Sequence, residues 1–307
     1  MSLYLKYRPK KLEDFVGNGE IVTALNGMLK DINNCPHAFL LTGPTGCGKT
    51  TLGRIIATRL GVRLESEDFR EIDSADFRGI DTVREIRKNA QFMAIEGNYR
   101  VYLIDECHKM TNDAQNALLK ILEDTPLHVF FILCTTDPIK LLPTIKGRCS
   151  TYEVKALNED QMISLLRRVV KSEKDNLAKV VYESIAKDSF GYPRNALQIL
   201  DQVLKVDPEK RLEVAQRSAE EYNESIELCR LLVQGSGWQR CAKILKGLKK
   251  EDPESIRRNV LGYCQAILLN GKTDDRVAIV MDAFMEPFYN SGYPQLVFAA
   301  YSAIRTS

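Results

Sequence analysis

The segment GPTGCGKT, residues 43–50, constrains this chain more than any other feature. It follows the apolar run HAFLLTG (37–43) and opens a helical pattern from Thr50 to Leu60, so it meets G-x-x-x-x-G-K-[ST] in a strand–loop–helix setting. Glycines let backbone N–H groups turn inward, and the start of the following helix adds partial positive charge, which together make a phosphate cradle. The motif predicts that Lys49 reaches the terminal phosphates of ATP and that Thr50 holds Mg²⁺. Gly43, Pro44, Thr45, Gly46, Cys47, Gly48 and Thr51 complete the cradle.

Such a loop needs a buried parallel sheet behind it. The apolar runs FREID (69–73), RVYLID (100–105), HVFFILC (128–134) and CSTYEV (149–154) alternate with helical patterns over 79–94 and 112–124. Strands alternating with helices predict an α/β fold with a parallel sheet covered on both faces. Strand signals stop near residue 155. Helices are expected over 158–171, 177–187 and 193–203, then a charged linker, VDPEKR (206–211), and a helical remainder. In that remainder Pro253 marks a helix start, and Ile256, Val260, Tyr263, Cys264 and Ile267 fall on one stripe.

The third apolar run ends in two acids, at the strand end where ligands bind in an open parallel sheet. Asp105 is expected to hold Mg²⁺ through water and Glu106 to polarise the attacking water. DECH (105–108) also looks like a helicase box, but the helical second half has neither a second strand-rich motor domain nor a Q-x-x-G-R-x-x-R motif. LCTTDP (133–138) puts two hydroxyls at the next strand end. Thr135 is the expected reporter of the terminal phosphate, with Thr136 as the alternative. Arg148 precedes the last strand, and Arg194 lies in the first turn of a helix, where a cation opposes the helix dipole unless an anion is near. Arg84, Arg87 and Lys88 share one side of the 79–94 helix, beside an apolar face of Val83, Ile86 and Ala90.

The 307 residues carry 44% hydrophobic and 27% charged residues and a net charge of only +2. That balance disfavours a general nucleic-acid coat and leaves DNA contact to local patches. No apolar run is long enough to span a bilayer, and no secretion signal is evident, so an intracellular location is expected. The eight cysteines form no C-x-x-C pair and are read as buried, reduced thiols rather than zinc ligands.

In order, KYRPKKLEDFVGN, GPTGCGKT, EIDSAD, VYLIDECHKM, NALLKILED, CTTDP, GRC and GYPRNALQIL resemble the bacterial clamp-loader tau/gamma subunit and the small subunits of replication factor C, over residues 4–203. The resemblance implies a RecA-like P-loop AAA+ core (1–155), a three-helix lid (156–205) and an all-α collar (206–307) that closes a five-subunit ring. It implies an ATPase whose partners are other loader subunits, a sliding clamp and primer–template DNA, with no membrane, in the cytoplasm of a bacterium or phage-infected cell, or in a eukaryotic nucleus. It also implies roles. Tyr7, Arg8, Pro9, Val16 and Gly17 would cradle adenine and ribose. Thr135 would be sensor 1, and Arg194, after Pro193, sensor 2. Arg148 would be an arginine finger acting in trans, and Arg78, Arg84 and Lys88 would meet DNA phosphates. Clamp contacts are expected to be apolar and near the loops around 90–115, with no residue marked individually by the sequence. Two departures stand out. Glycine at 147 replaces the family's serine, which implies a looser loop around Arg148. The bacterial four-cysteine zinc module is missing from ATRLGVRLESEDFR (57–70), which favours a compact phage or archaeal type. The rival readings are a branch-migration motor, which should end in a winged helix, and an inert structural subunit, which would not need Lys49, Thr50, Asp105 and Glu106.

Overall fold

The computed structural model describes the chain except residues 74–78, 223, 236, 270–274, 289–290 and 306–307. The chain divides into two compact units, Met1–Ala215 and Gln216–Ser307. In the first unit the order is α1 (Leu3–Lys6), α2 (Gly19–Met28), β1 (Ala38–Thr42), α3 (Lys49–Arg59), β2 (Phe69–Asp73), α4 (Ile80–Asn89), β3 (Arg100–Asp105), α5 (Asn112–Glu123), β4 (Val129–Thr135), α6 (Pro143–Lys146) and β5 (Ser150–Glu153). Then come α7 (Glu159–Ser172), α8 (Lys179–Asp188) and α9 (Pro193–Val203). Helix α10 (Arg211–Tyr222) crosses into the second unit, which holds α11 (Glu224–Gln234), α12 (Trp238–Gly247), α13 (Pro253–Leu269), α14 (Asp275–Ala283) and α15 (Gly292–Arg305).

The five strands form one sheet in the order β2-β3-β4-β1-β5, and every pairing is parallel. Strand alternation sorts its side chains into two cores. Phe39, Leu41, Val101, Leu103, Phe130 and Ile132 face one side with Leu52, Ile55 and Ile56 of α3. Leu40, Tyr102, Ile104, Phe131 and Leu133 face the other with Val83 and Ile86 of α4 and Leu118 and Ile121 of α5. Burial on both faces explains why β1, β3 and β4 read as near-continuous apolar runs. At about 1.5–3 kcal/mol per buried aliphatic or aromatic side chain, these two layers are the main reason the strand ends hold still.

Helices α7, α8 and α9 pack on one another through Met162, Leu166, Val169, Val181, Ile185, Ala196 and Leu200. Asn158 and Gln161 close a reciprocal capping box at the start of α7. The expected linker at 206–211 is instead a short turn, Pro208–Lys210, leading straight into α10, and Arg211 pairs with Asp175 at 2.8 Å. In the second unit Ile256, Val260 and Cys264 of α13 are buried against α11, α12, α14 and α15. Its described residues contain no strand, and no described helix in the chain is long and apolar enough to cross a membrane.

Helix α4 ends at Asn89 rather than running to Ala94. The cause is a buried ion pair beneath it. Arg100 pairs with Asp68 at 3.2 Å and donates to the carbonyls of Asn89 and Met93. Asp68 accepts the backbone N–H groups of Ile95 and Glu96 at 2.7–2.9 Å. These bonds draw the chain out of the helix and leave Phe92, Met93 and Ile95 60–68% exposed.

Candidate nucleotide-binding site

The carboxyl ends of β1, β2 and β3 open into a cleft of about 360 Å³. Gly43 leaves β1 at φ +141°, and a Cβ there would come within 2.2 Å of the Val154 carbonyl oxygen, so only glycine makes this exit. Gly48 caps α3 at φ +107°, with the Phe15 ring 3.1 Å from any Cβ it might carry. The loop thus delivers the free N–H groups of the α3 first turn to the cleft. Lys49 is only 5% exposed, and its ammonium donates to the carbonyls of Gly43 and Pro44 at 2.9 Å each. Two carbonyls therefore hold a buried cation at the mouth of an N–H-lined loop.

Thr50 donates its hydroxyl to Asp105 Oδ2 at 2.7 Å. Asp105 Oδ1 accepts the Glu106 backbone N–H at 3.0 Å. Neighbouring side chains on a strand point to opposite faces, yet Asp105 and Glu106 both line the cleft. The reason is a kink: Glu106 sits in the left-handed region at φ 48°, which costs roughly 1–2 kcal/mol for a non-glycine residue. Strain of this kind accumulates where a side chain must be aimed.

The Glu106 carboxylate is tied to the end of β4. Thr136 donates to its Oε2 at 3.1 Å, and His108 Nδ1 lies 3.3 Å from the same oxygen. His108 Nδ1 also meets Thr135 Oγ1 at 3.0 Å, and that hydroxyl accepts the Asp137 N–H. Burial pushes the His108 imidazolium pKa below its ordinary value, against the opposing pull of Glu106. Thr135 is fully buried, and neither threonine lines the cleft.

The cleft is roofed from two other segments. Arg194 follows Pro193 in the first turn of α9, and its Cβ lies 3.6 Å from where a Gly46 Cβ would stand. The cation at the start of α9 therefore faces the phosphate loop. Tyr7, Arg8, Pro9 and Val16 line the cleft from the N-terminal segment, which is fastened to the helical region. Tyr7 donates to Glu173, Lys6 pairs with Glu173 at 2.7 Å, and Asn18 exchanges two hydrogen bonds with the Lys155 backbone. Gly17 lies against Leu157 outside the lining, and Gly43 and Pro44 take part through their carbonyls alone.

The structure adds Tyr4, Phe15, Asp73, Leu165, Arg168 and Leu197 to the lining. Asp73 had a legible signal, since it ends β2 in register with Asp105. Leu165 and Leu197 read only as core positions of their helices.

Arg148 lies outside this cleft. It follows α6 and bonds Glu123 and the Thr144 carbonyl. The looser loop expected from Gly147 is absent: its φ is −68°, its N–H bonds Pro143 at 3.0 Å, and a Cβ would meet nothing nearer than 3.6 Å. A serine would fit this helical turn. On α4 Val83 and Ile86 are buried, as is Ala90 just past its end, while Arg84, Arg87 and Lys88 are exposed, and Arg84 pairs with Asp81 at 3.0 Å. Arg78 lies outside the described residues. Seven of the eight cysteines are buried and Cys149 is half-buried, and burial raises the thiol pKa of Cys107, Cys134 and Cys229 furthest. Among the described residues there is no cluster of three or more metal-ligating side chains.

Comparison with known proteins agrees with this geometry. A family described as "DNA polymerase III, delta subunit" matches residues 62–158. The DNA polymerase III subunit gamma/tau of Mycobacterium bovis is 38% identical over 225 residues, 66% of this chain and 39% of that protein. The DNA polymerase III subunit gamma of Buchnera aphidicola is 33% identical over 219 residues, 65% of this chain and 60% of the relative. The chain thus spans well under half the length of the mycobacterial relative. In fold, the RuvB Holliday junction branch migration motor of Thermotoga maritima aligns with a TM-score of 0.60 at 20% identity, covering 74% of this chain and 79% of RuvB. Over about two-thirds of its length the chain resembles the gamma and tau subunits of DNA polymerase III, and it shares its fold with the RuvB motor.

Proposed function

We propose that this protein is an ATP-hydrolysing motor subunit of a DNA sliding-clamp loader. The observation that carries the reading is the convergence of Lys49, Thr50, Asp105, Glu106 and Arg194 on one cleft, in a chain similar to gamma and tau subunits. The sheet and its helices (1–155) act as the ATPase core, 156–205 as the lid and 206–307 as the collar.

ATP binds with its phosphates on the 43–51 loop, and Lys49 exchanges its two carbonyl partners for phosphate oxygens. Adjacent hard oxygen donors on Thr50 and Asp105, with no larger ligand cluster among the described residues, fit a magnesium ion that keeps most of its waters. When bound, it neutralises charge on the phosphates. Glu106 positions and polarises the attacking water. Thr136 directly, and Thr135 through His108, tie that carboxylate to the end of β4, so the state of the phosphates can reach it. Arg194 reads the terminal phosphate from the lid, and Arg148 reaches the ATP of a neighbouring subunit.

A Lys49→Ala variant is expected to weaken ATP binding by roughly a hundredfold or more, the loss of at least two charge-assisted hydrogen bonds. Titration with a fluorescent ATP analogue measures it, and unchanged affinity contradicts the assignment. Primer–template DNA lies along α4, where Arg84 and Lys88 are exposed. Arg84→Glu should lower DNA affinity and reduce its salt slope by about one, read as log affinity against log salt. An unaltered slope removes α4 from the DNA interface. The clamp docks on the loop that presents Phe92, Met93 and Ile95, the exposed large apolar side chains between residues 90 and 115.

The test of the whole reading is hydrolysis by the reconstituted complex. ATP turnover should rise when primed DNA and clamp are added together. Turnover indifferent to both rules out a clamp-loading motor.

A further inference from the structure

The cleft contains two arginines, Arg8 and Arg194, whose guanidiniums have no hydrogen-bond or ion-pair partner among the described residues. The other cations there are satisfied: Lys49 by two carbonyls and Arg168 by the Asp14 carbonyl at 3.2 Å. Arg8 is half-buried, and its charged neighbours are mainly cations. Burial is the largest influence disfavouring its charge, followed by the guanidiniums of Arg54 and Arg194, with Glu71 and Tyr4 as smaller opposing influences. That carboxylate is already committed to Arg54 through two bonds of 2.7 Å.

A half-buried guanidinium with no side-chain partner, in one cleft with Lys49 and Arg194, is unfavourable unless an anion joins them. The segment that presents Arg8 is anchored immediately before it. Tyr7 is bound to Glu173, and α1 packs on α9. What suits the position is a ligand with several acceptor oxygens and more than one negative charge, because a planar guanidinium grips phosphate oxygens in pairs. The resemblance assigns Arg8 to adenine and ribose, which carry no charge to answer this cluster.

We propose that Arg8 binds the phosphate tail of the nucleotide, so that with Lys49 and Arg194 it forms a three-cation cradle contributed by the N-terminal segment, the phosphate loop and α9. The inference rests on the nucleotide reading of the cleft, but it assigns Arg8 to a different part of the ligand.

The experiment measures dissociation constants of the full chain for ATP, tripolyphosphate and adenosine by competition against a fluorescent ATP analogue. Arg8→Gln should weaken ATP and tripolyphosphate by a similar factor, roughly tenfold to a hundredfold, the range of a lost charged hydrogen bond. Adenosine affinity should not change. Arg8→Lys should recover part of the loss, since it restores the charge without the planar fork. The ligand-free Arg8→Gln protein should melt no lower than wild type, because the variant removes a half-buried cation whose guanidinium has no partner. Equal losses for ATP and adenosine would place Arg8 on the base or sugar and overturn the proposal, as would unchanged ATP affinity or a lowered ligand-free melting midpoint. A wild-type protein that binds neither ATP nor tripolyphosphate would overturn the nucleotide reading as well.

Discussion

An Arg148→Ala variant assembled into the complete complex should bind ATP normally and lose roughly three to five orders of magnitude of its DNA-stimulated hydrolysis, the range an arginine finger supplies in well-studied GTPases. The expectation comes from where Arg148 is and is not. It stands outside the cleft of its own chain, on a regular helical turn, with its guanidinium on Glu123 and the Thr144 carbonyl. The two side chains of that ion pair are 37% and 43% exposed. Exposed pairs contribute only about 0–1 kcal/mol, so the guanidinium can leave Glu123 for a neighbour's phosphate at little cost. The same geometry makes ATP affinity of the isolated chain insensitive to the substitution. Steady-state turnover with primed DNA and clamp, alongside ATP titration, separates the two effects. Normal stimulated turnover would remove Arg148 from catalysis.

Glu106→Gln is the second large effect. General-base assistance contributes about 10²–10⁴ in rate, and a glutamine cannot take the proton of the attacking water. The amide is close in shape to the carboxylate and can still accept the Thr136 hydroxyl, so the kink at φ 48° and the hold on β4 should survive. ATP should therefore bind while hydrolysis falls by that factor, and the variant should accumulate in the ATP-bound state. A single-turnover measurement of γ-phosphate cleavage reads this directly. Undiminished cleavage would return the chain to the class of structural subunits.

Much of the core and site was legible because short-range chemistry dictates it. A strand buried on both faces must be apolar throughout, which is why VYLID and VFFILC read as strands, and β3 falls at Arg100–Asp105 as expected. A phosphate loop must be glycine-rich where a Cβ would strike backbone, as Gly43 would strike Val154. Adjacent acids at a strand end need a kink if both are to serve one cleft, but nothing in the word Asp-Glu announces the left-handed Glu106 that provides it. What could not be read depended on pairs far apart in sequence. Asp68 and Arg100 end α4 five residues early because a buried ion pair captures backbone groups on the following loop. Glu173 fastens the segment of Tyr7 to the helical region across 166 positions. The resemblance puts Arg8 on the base and ribose, and the proposal of a phosphate ligand comes instead from its place in one cleft with Lys49 and Arg194. Gly147 shows the opposite limit. A glycine in place of serine suggests a loose loop, yet its φ of −68° is ordinary helix.

The central claim is that ATP in this cleft controls the grip on a ring-shaped clamp. The most direct measurement is capture by the tagged full-length protein from extract of its native host, with and without a slowly hydrolysed ATP analogue, with identification of what is retained. A sliding clamp held only when the analogue is present, together with the other loader subunits, is the predicted result. An active ATPase that retains no clamp under either condition would contradict the account.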